Sequence, residues 1–327
     1  MGIFPPKLKP GNTIRVISPS FNLQVVPKKV QSAAIRNLSQ FGLKVSFPKL
    51  RDANKENSYT NLKYKLQDIY EAFEDKNIHG VLTSIGGNTA IELVPQIDYN
   101  FIKKNPKIIC GYSDATSLLN AIFARTGLIT YYGPHFSTFG QRYNKQYMLD
   151  MFKVCCMDTK PFELYSSTYW HDYPWWKDLR IKQLIHNEGF CVLSKGNAQG
   201  ILVGGNIASL TQLVKVDYFP INRKQLLFLE ASEDYTLVRL IADLKYLIGA
   251  IKTENIQGVL FGRFPKKTRI SQNDLAVALR ALFCPDRIPI ICDVNFGHTY
   301  PLCTIPIGGH AVVQCTDKHR SISIFDH

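Results

Sequence analysis

The 327-residue chain has no apolar run approaching the roughly 18 residues that cross a bilayer, so a membrane-spanning role is not expected. Its opening residues, Met1-Gly2-Ile3-Phe4-Pro5-Pro6-Lys7, hold no apolar core of a signal peptide, and a cytoplasmic protein is expected. The eight cysteines (Cys110, Cys155, Cys156, Cys191, Cys284, Cys292, Cys303 and Cys315) include no C-x-x-C pair. That spacing argues against a zinc or thiol-redox motif, and their apolar surroundings point to reduced, buried thiols. The net charge is +13, from 39 basic and 26 acidic residues. The basic residues are dispersed, with no stripe and no zinc-finger or RNA-recognition signature, so nucleic acid is not the expected partner. A lysine-rich surface explains the charge, with attraction of an anionic small substrate as a secondary effect.

What is present is an ordinary globular composition, 45% hydrophobic and 20% charged, in a chain long enough for two cores. Thr13-Ile14-Arg15-Val16-Ile17 reads as a strand, Val26 to Phe41 as a helix closed by Gly42, and Leu43 to Phe47 as a strand. Thr60 to Asp75 reads as a helix, Gly80 to Ser84 as a strand, and Thr89 to Val94 as a return to helix. This alternation predicts an α/β fold whose N-terminal parallel sheet is covered on both faces. Near Gly200 the pattern restarts. The strand to Asn206 precedes a helix at Ile207, Lys224 to Leu229 delivers Glu230, and Ile288 to Asp293 runs into Phe296-Gly297-His298-Thr299. A second αβ domain supplying Glu and His is therefore expected. The boundaries are an N-terminal nucleophile domain over 1–160, an aromatic linker or substrate loop over 161–198, and a C-terminal domain over 199–327.

The chain is organised around Lys107-Ile108-Ile109-Cys110-Gly111-Tyr112-Ser113-Asp114-Ala115-Thr116. A serine between a strand and a helix, flanked two residues away by Gly111 and Ala115, has the layout of a nucleophile elbow. The turn would project Ser113 Oγ at the carboxyl edge of the sheet, where ligands usually bind. The helix amides that follow favour negative charge. The competing reading is an ordinary strand-to-helix turn capped by Ser113 or Asp114, and the segment alone does not separate the two. The paired glycines of Ile85-Gly86-Gly87-Asn88 lack the dinucleotide fingerprint and any Gly-Lys-Ser/Thr. They serve either as a plain turn or as a source of a backbone amide aimed at the Ser113 oxygen site.

Serine needs a base to take its proton, and the base needs a third group to orient it. His298 and Glu230 end or follow strands and are the candidates, although each also has an ordinary role available: a hydrogen-bonded polar residue for His298, a helix cap for Glu230. All three tryptophans, Trp170, Trp175 and Trp176, fall in the polar and aromatic segment Tyr165 to Trp176, read as a long ordered loop. It either packs between domains or forms a stacking wall for a planar substrate group.

In order along nearly the whole chain, Gly11 to Ser20, Ser84 to Asn88, Pro106 to Thr116, Tyr132 to Pro134, Gly204 to Asn206, Phe228 to Glu230, Gly297 to Thr299 and Ile305 to Gly308 resemble one serine peptidase family. It contains the LD-carboxypeptidases and the microcin C self-immunity peptidases. The resemblance implies an intracellular, often dimeric hydrolase with a Ser-Glu-His triad and no metal or cofactor. It implies Ser113 as nucleophile, Glu230 as orienting carboxylate and His298 as general base, with the amides of Gly87 and Asp114 as oxyanion hole. Gly86, Asn88, Trp170, Trp175 and Trp176 are the expected substrate contacts. Ala231 departs from the acidic residue that commonly follows the glutamate, and the family's murein-cleaving branch usually carries an Arg where this chain has Ser84-Ile85. With the tryptophan loop, the chain looks closer to the microcin-immunity branch. The expected activity is therefore hydrolysis of an amide in a small peptide-derived molecule, a peptidyl- or aminoacyl-nucleotide before a murein tetrapeptide. The competing readings are a non-catalytic nucleotide-binding protein and an ordinary α/β-hydrolase with one continuous sheet.

Overall fold

The computed structural model describes residues 2–48, 61–175, 183–220, 224–282, 288–316 and 319–327. Among them lie two large, separate sheets. The first has six strands in the order Ile305–Ile307, Thr130–Tyr132, Ile108–Gly111, Gly80–Thr83, Thr13–Ile17, Lys44–Ser46. Its pairings are parallel except where Ile305–Ile307 adds antiparallel to Thr130–Tyr132. Ile108, Ile109 and Cys110 are all essentially inaccessible, as strands of a sheet covered on both faces must be. The second sheet has eight strands. Its middle, Gly196–Asn206, Gln225–Glu230, Ile256–Gly262 and Ile290–Val294, is parallel, with antiparallel strands added on both sides. Two sheets in place of one rule out the single-sheet α/β-hydrolase arrangement.

The strands expected over Thr13 to Ile17, Gly80 to Ser84 and Lys224 to Leu229 form as Thr13–Ile17, Gly80–Thr83 and Gln225–Glu230. The helices expected over Val26 to Phe41 and Thr60 to Asp75 form as Lys28–Ser39 and Leu62–Glu74, and Leu237–Ile251 is a further helix. Two segments differ: inside the expected loop Tyr169–Trp170 forms a short strand paired antiparallel with Ile185–His186, and the second is the return to helix after the paired glycines. Thr89 to Val94 forms no α-helix but runs into two 3-10 turns, Ala90–Glu92 and Val94–Gln96. Pro95 has no N–H to give to a helical ladder, so the segment stays in short turns. The strand Ile305–Ile307, late in the chain, completes the first sheet, so the C-terminal portion is stitched into the N-terminal one. Cys110, Cys155, Cys156, Cys292, Cys303 and Cys315 are buried free thiols and Cys191 is partly exposed, while Cys284 lies outside the described residues.

Candidate active site

The strand Ile108–Gly111 sits in the interior of the first sheet and ends in the turn that carries Ser113. Ser113 has φ 58°, the left-handed region that costs an L-residue roughly 1–2 kcal/mol. The turn closes because residue 111 is glycine: a Cβ there would meet Thr83 Oγ1 at 2.2 Å and Ala115 Cβ at 3.1 Å. The helix Ala115–Thr126 follows directly. Asp114 stands at its N-cap, yet its side chain does not cap the helix. Asp114 Oδ2 instead accepts the Ala90 amide at 2.8 Å, tying the elbow to the turn that carries the paired glycines. The capping account of the segment therefore fails for Asp114, and the strained serine fits the elbow.

Glu230 ends its strand in the second sheet and is 1% exposed. Its Oε2 lies 2.7 Å from His298 Nδ1, and His298 Nε2 lies 3.1 Å from Ser113 Oγ. The other carboxylate oxygen, Oε1, accepts the Tyr132 hydroxyl at 2.9 Å and Asn206 Nδ2 at 3.0 Å. Burial alone would favour neutral Glu230, but the His298 charge and hydrogen bond, with the Asn206 and Tyr132 donors, hold its pKa below the ordinary value. Burial likewise favours neutral His298. The Glu230 carboxylate, its hydrogen bond, and the charges of Glu233 and Asp234 outweigh that and raise the imidazole. An ionised Glu230 can only accept, so Nδ1 carries the proton and Nε2 is left to accept from the Ser113 hydroxyl. This tautomer is the one that base catalysis needs.

A second histidine lies close by. His135 is buried, its Nε2 donates to the Tyr112 carbonyl at 2.8 Å, and burial lowers its pKa to about 3. With its one ring N–H committed to that carbonyl, it is a fixture of the elbow and not a competing base for Ser113.

A cleft of about 570 Å³ opens over Ser113 and His298, within the usual size of a small-molecule site. Its lining includes the apolar Phe21, Val25, Ile85 and Trp175 and the charged Glu233, Asp234 and Lys267. Gly86 and Gly87 also line it, Gly86 beside Ser113. Gly87 has φ 151°, and a Cβ on it would meet Ser20 Oγ at 2.1 Å and the Phe21 ring at 3.0 Å. Neither the Gly87 nor the Asp114 amide donates to a backbone carbonyl among the described residues.

Of the expected substrate contacts, Gly86 and Trp175 line the cleft. Asn88 is exposed and outside the lining, and Trp176 lies outside the described residues. Trp170 is elsewhere, with Arg263 and Lys266 over its ring at 4.7 and 5.6 Å. It packs the loop against the C-terminal portion. Tyr132 and Asn206 were assigned no chemistry from the sequence, although both fall in stretches that carried the family resemblance, Tyr132 to Pro134 and Gly204 to Asn206.

Two family profiles match in order. The LD-carboxypeptidase N-terminal domain covers residues 14–133 and the LD-carboxypeptidase C-terminal domain residues 199–313. The chain belongs to the LD-carboxypeptidase family, Peptidase S66. It is 33% identical to a Bacillus subtilis protein named as a carboxypeptidase, YocD, over 98% of this chain and 99% of that one. It is 28% identical to the microcin C7 self-immunity protein MccF of Escherichia coli, over 96% and 93%. Among solved structures, an MccF-like protein from Bacillus anthracis superposes with a TM-score of 0.95 at 35% identity, covering 100% of both chains. MccF in complex with glutamyl sulfamoyl guanosine gives 0.87 at 26% identity, covering 99% and 98%.

Proposed function

We propose that the chain is a serine peptidase or amidase that hydrolyses an amide in a small peptide-derived substrate, with a peptidyl- or aminoacyl-nucleotide favoured. One observation carries this reading: Ser113 Oγ, His298 Nε2, His298 Nδ1 and Glu230 Oε2 form a continuous line at 3.1 and 2.7 Å. In this mechanism His298 Nε2 takes the Ser113 proton as Oγ attacks the amide carbonyl. The imidazolium, stabilised by Glu230, then protonates the departing nitrogen. Water deprotonated by the same Nε2 attacks the acyl-enzyme, releasing a carboxylic acid and restoring Ser113. The amides of Gly87 and Asp114 receive the oxyanion.

The substrate preference rests on the apolar residues that line the cleft, Trp175 among them, and on a related protein solved in complex with glutamyl sulfamoyl guanosine. A Bacillus subtilis relative named for murein peptide carboxypeptidase activity supports a second substrate for the same chemistry, a short murein peptide ending in a D-amino acid. Both substrates should be assayed on wild type and Ser113→Ala. The proposal expects turnover of at least one and its loss, by several orders of magnitude, in the variant. Undiminished turnover by Ser113→Ala, or failure of a fluorophosphonate to label Ser113 alongside calorimetric binding of nucleotide, refutes it and favours a non-catalytic nucleotide-binding protein.

A further inference from the structure

We propose that Tyr112 and Tyr300 are a positioning pair that fixes the distance between nucleophile and base across the two halves of the site; the inference rests on the hydrolase reading above. Tyr112 immediately precedes Ser113, and Tyr300 follows His298 by two residues. Their hydroxyls are 3.0 Å apart, and both side chains are buried. The two residues stand 188 positions apart in the chain, so this bond bridges the elbow and the segment that carries the base.

Each phenol is also held by further contacts. His135 stacks on the Tyr112 ring with centroids 4.0 Å apart at 28°, and its Nε2 holds the Tyr112 carbonyl. The Tyr112 ring also meets the His298 ring at 5.5 Å and 63°. Tyr300 exchanges two backbone hydrogen bonds with His171, both 2.8 Å, and packs against the His171 ring at 5.4 Å and the Trp175 ring at 6.1 Å. The hydroxyl bond therefore joins two fixed bodies, one bearing Ser113 and the other following His298. Sliding the base away from the nucleophile must stretch it. Burial raises the Tyr112 hydroxyl to about 12 and that of Tyr300 well above its ordinary value, so both keep their protons and the bond persists at neutral pH. A misplacement of about 1 Å in a catalytic geometry can cost on the order of a hundredfold in rate, so a device of this kind acts on turnover and not on binding.

The test uses Tyr112→Phe, Tyr300→Phe and the double variant in the full chain. Three quantities are followed: the rate of fluorophosphonate labelling at Ser113, kcat and KM on whichever amide substrate wild type turns over, and Tm. Each single change should slow labelling and kcat by roughly tenfold to a hundredfold with KM within about twofold. The double should be no slower than the slower single, because the two hydroxyls act as one device. Stability should behave differently. Each single removes one end of this bond and leaves the other hydroxyl only its second partner, Thr138 for Tyr112 or Trp175 for Tyr300. The double removes both hydroxyls, so Tm should recover at least in part in the double while the rate does not. A merely structural pair would recover rate and Tm together, and that result overturns the proposal. So does a rise in KM at constant kcat, losses that multiply in the double, or labelling unchanged in the singles. If Tyr300→Phe fails to fold, Tyr112→Phe alone carries the labelling and KM comparison. Wild type that is not labelled, with Ser113→Ala as active as wild type, removes the hydrolase reading and the pair with it. Labelled wild type with unaffected Phe variants removes the pair alone.

Discussion

Replacing Glu230 with Gln tests whether the carboxylate serves to select a tautomer. In the native site Oε2 accepts from His298 Nδ1, while Oε1 accepts from both Tyr132 and Asn206 Nδ2. A glutamine has one oxygen and one amide group to distribute over these positions. With the oxygen facing Tyr132 and Asn206, the amide N–H groups point at His298 Nδ1, which must then accept. The proton moves to Nε2, and the histidine can no longer take the Ser113 proton. Turned the other way, glutamine keeps the working tautomer but sets its NH₂ against the NH₂ of Asn206. Glu230 is 1% exposed, so that clash leaves buried donors unpaired at roughly 1–3 kcal/mol each. The first orientation wins, and kcat should fall by about 10⁴, the loss that follows from the wrong histidine tautomer in a serine triad.

The same arithmetic specifies a rescue. Asn206→Asp added to Glu230→Gln supplies an acceptor where the glutamine NH₂ needs one, turning the glutamine oxygen back to His298. Asp at 206 also retains an oxygen for the Ser209 amide that Asn206 now caps at 3.3 Å. The double variant should regain at least tenfold in kcat over Glu230→Gln alone, although Asn206→Asp by itself places a second carboxylate beside Glu230 and should be harmful. Steady-state kinetics and fluorophosphonate labelling of the four proteins measure this directly. The reasoning is refuted if Glu230→Gln stays within tenfold of wild type, or if the double variant is no faster than that single.

Ser113→Gly should be more thermostable than Ser113→Ala, and the proposed mechanism expects both to be inactive. Glycine relieves a left-handed conformation worth about 1–2 kcal/mol and gives back about 0.4–1 kcal/mol through the unfolded chain; calorimetry that ranks alanine higher contradicts the strain. Gly87→Ala should lower kcat at least tenfold, because its Cβ would collide with Ser20 Oγ and displace the turn facing the nucleophile; unchanged kinetics would show that this turn takes no part. Activity should rise with pH through a value above 6.5, since in the proposed mechanism His298 works as a neutral base and its pKa is raised. Removing charge with Glu233→Gln and Asp234→Asn should shift that limb to lower pH; a limb that stays in place rules out their influence on His298. The sign for stability is opposite on the His298 side: its raised pKa contributes stability that is full below about 6.5 and lost as pH climbs through the folded value. The lowered pKa of Glu230 contributes stability present above 4.5 and lost as pH falls through its folded value. Urea denaturation across this range should show both slopes weakened in His298→Ala, and equal slopes would contradict the ion pair.

Much of this architecture is legible in the chain because it depends on local pattern. Ile108-Ile109-Cys110 followed by a glycine and then a helical stretch reads as strand, turn and helix, and the stretch around Ser113 folds that way. Glu230 and His298 are legible as chemistry because each stands at or just beyond a strand end. Their meeting is not, since no local rule places residues 113, 230 and 298 on one line. The six-stranded sheet is legible except for its last strand, Ile305–Ile307, which crosses back from the far end of the chain. The tryptophans were indistinguishable as aromatic residues in one loop. Trp170 and Trp175 separate only through neighbours distant in sequence, Arg263 for the first and Tyr300 for the second.

Ala231 shows how such distant neighbours change the meaning of a local departure. The family's usual acidic residue after the glutamate suggests that its loss here weakens support for the carboxylate. Ala231 is 1% exposed and packed in the core, where a charge without a partner would cost several kcal/mol. The support that Glu230 needs comes from elsewhere: Tyr132, on the first sheet, and Asn206, on the neighbouring parallel strand, both donate to Oε1. The register that pairs Asn206 with Glu230 brings that amide alongside, and the Tyr132 hydroxyl reaches over from the other sheet. The carboxylate is thus fixed by groups from both halves of the molecule, as Ser113 and His298 are joined through Tyr112 and Tyr300. The alignment of the site therefore depends on how the two halves are docked, and substitutions that loosen that docking should lower turnover before they unfold either half.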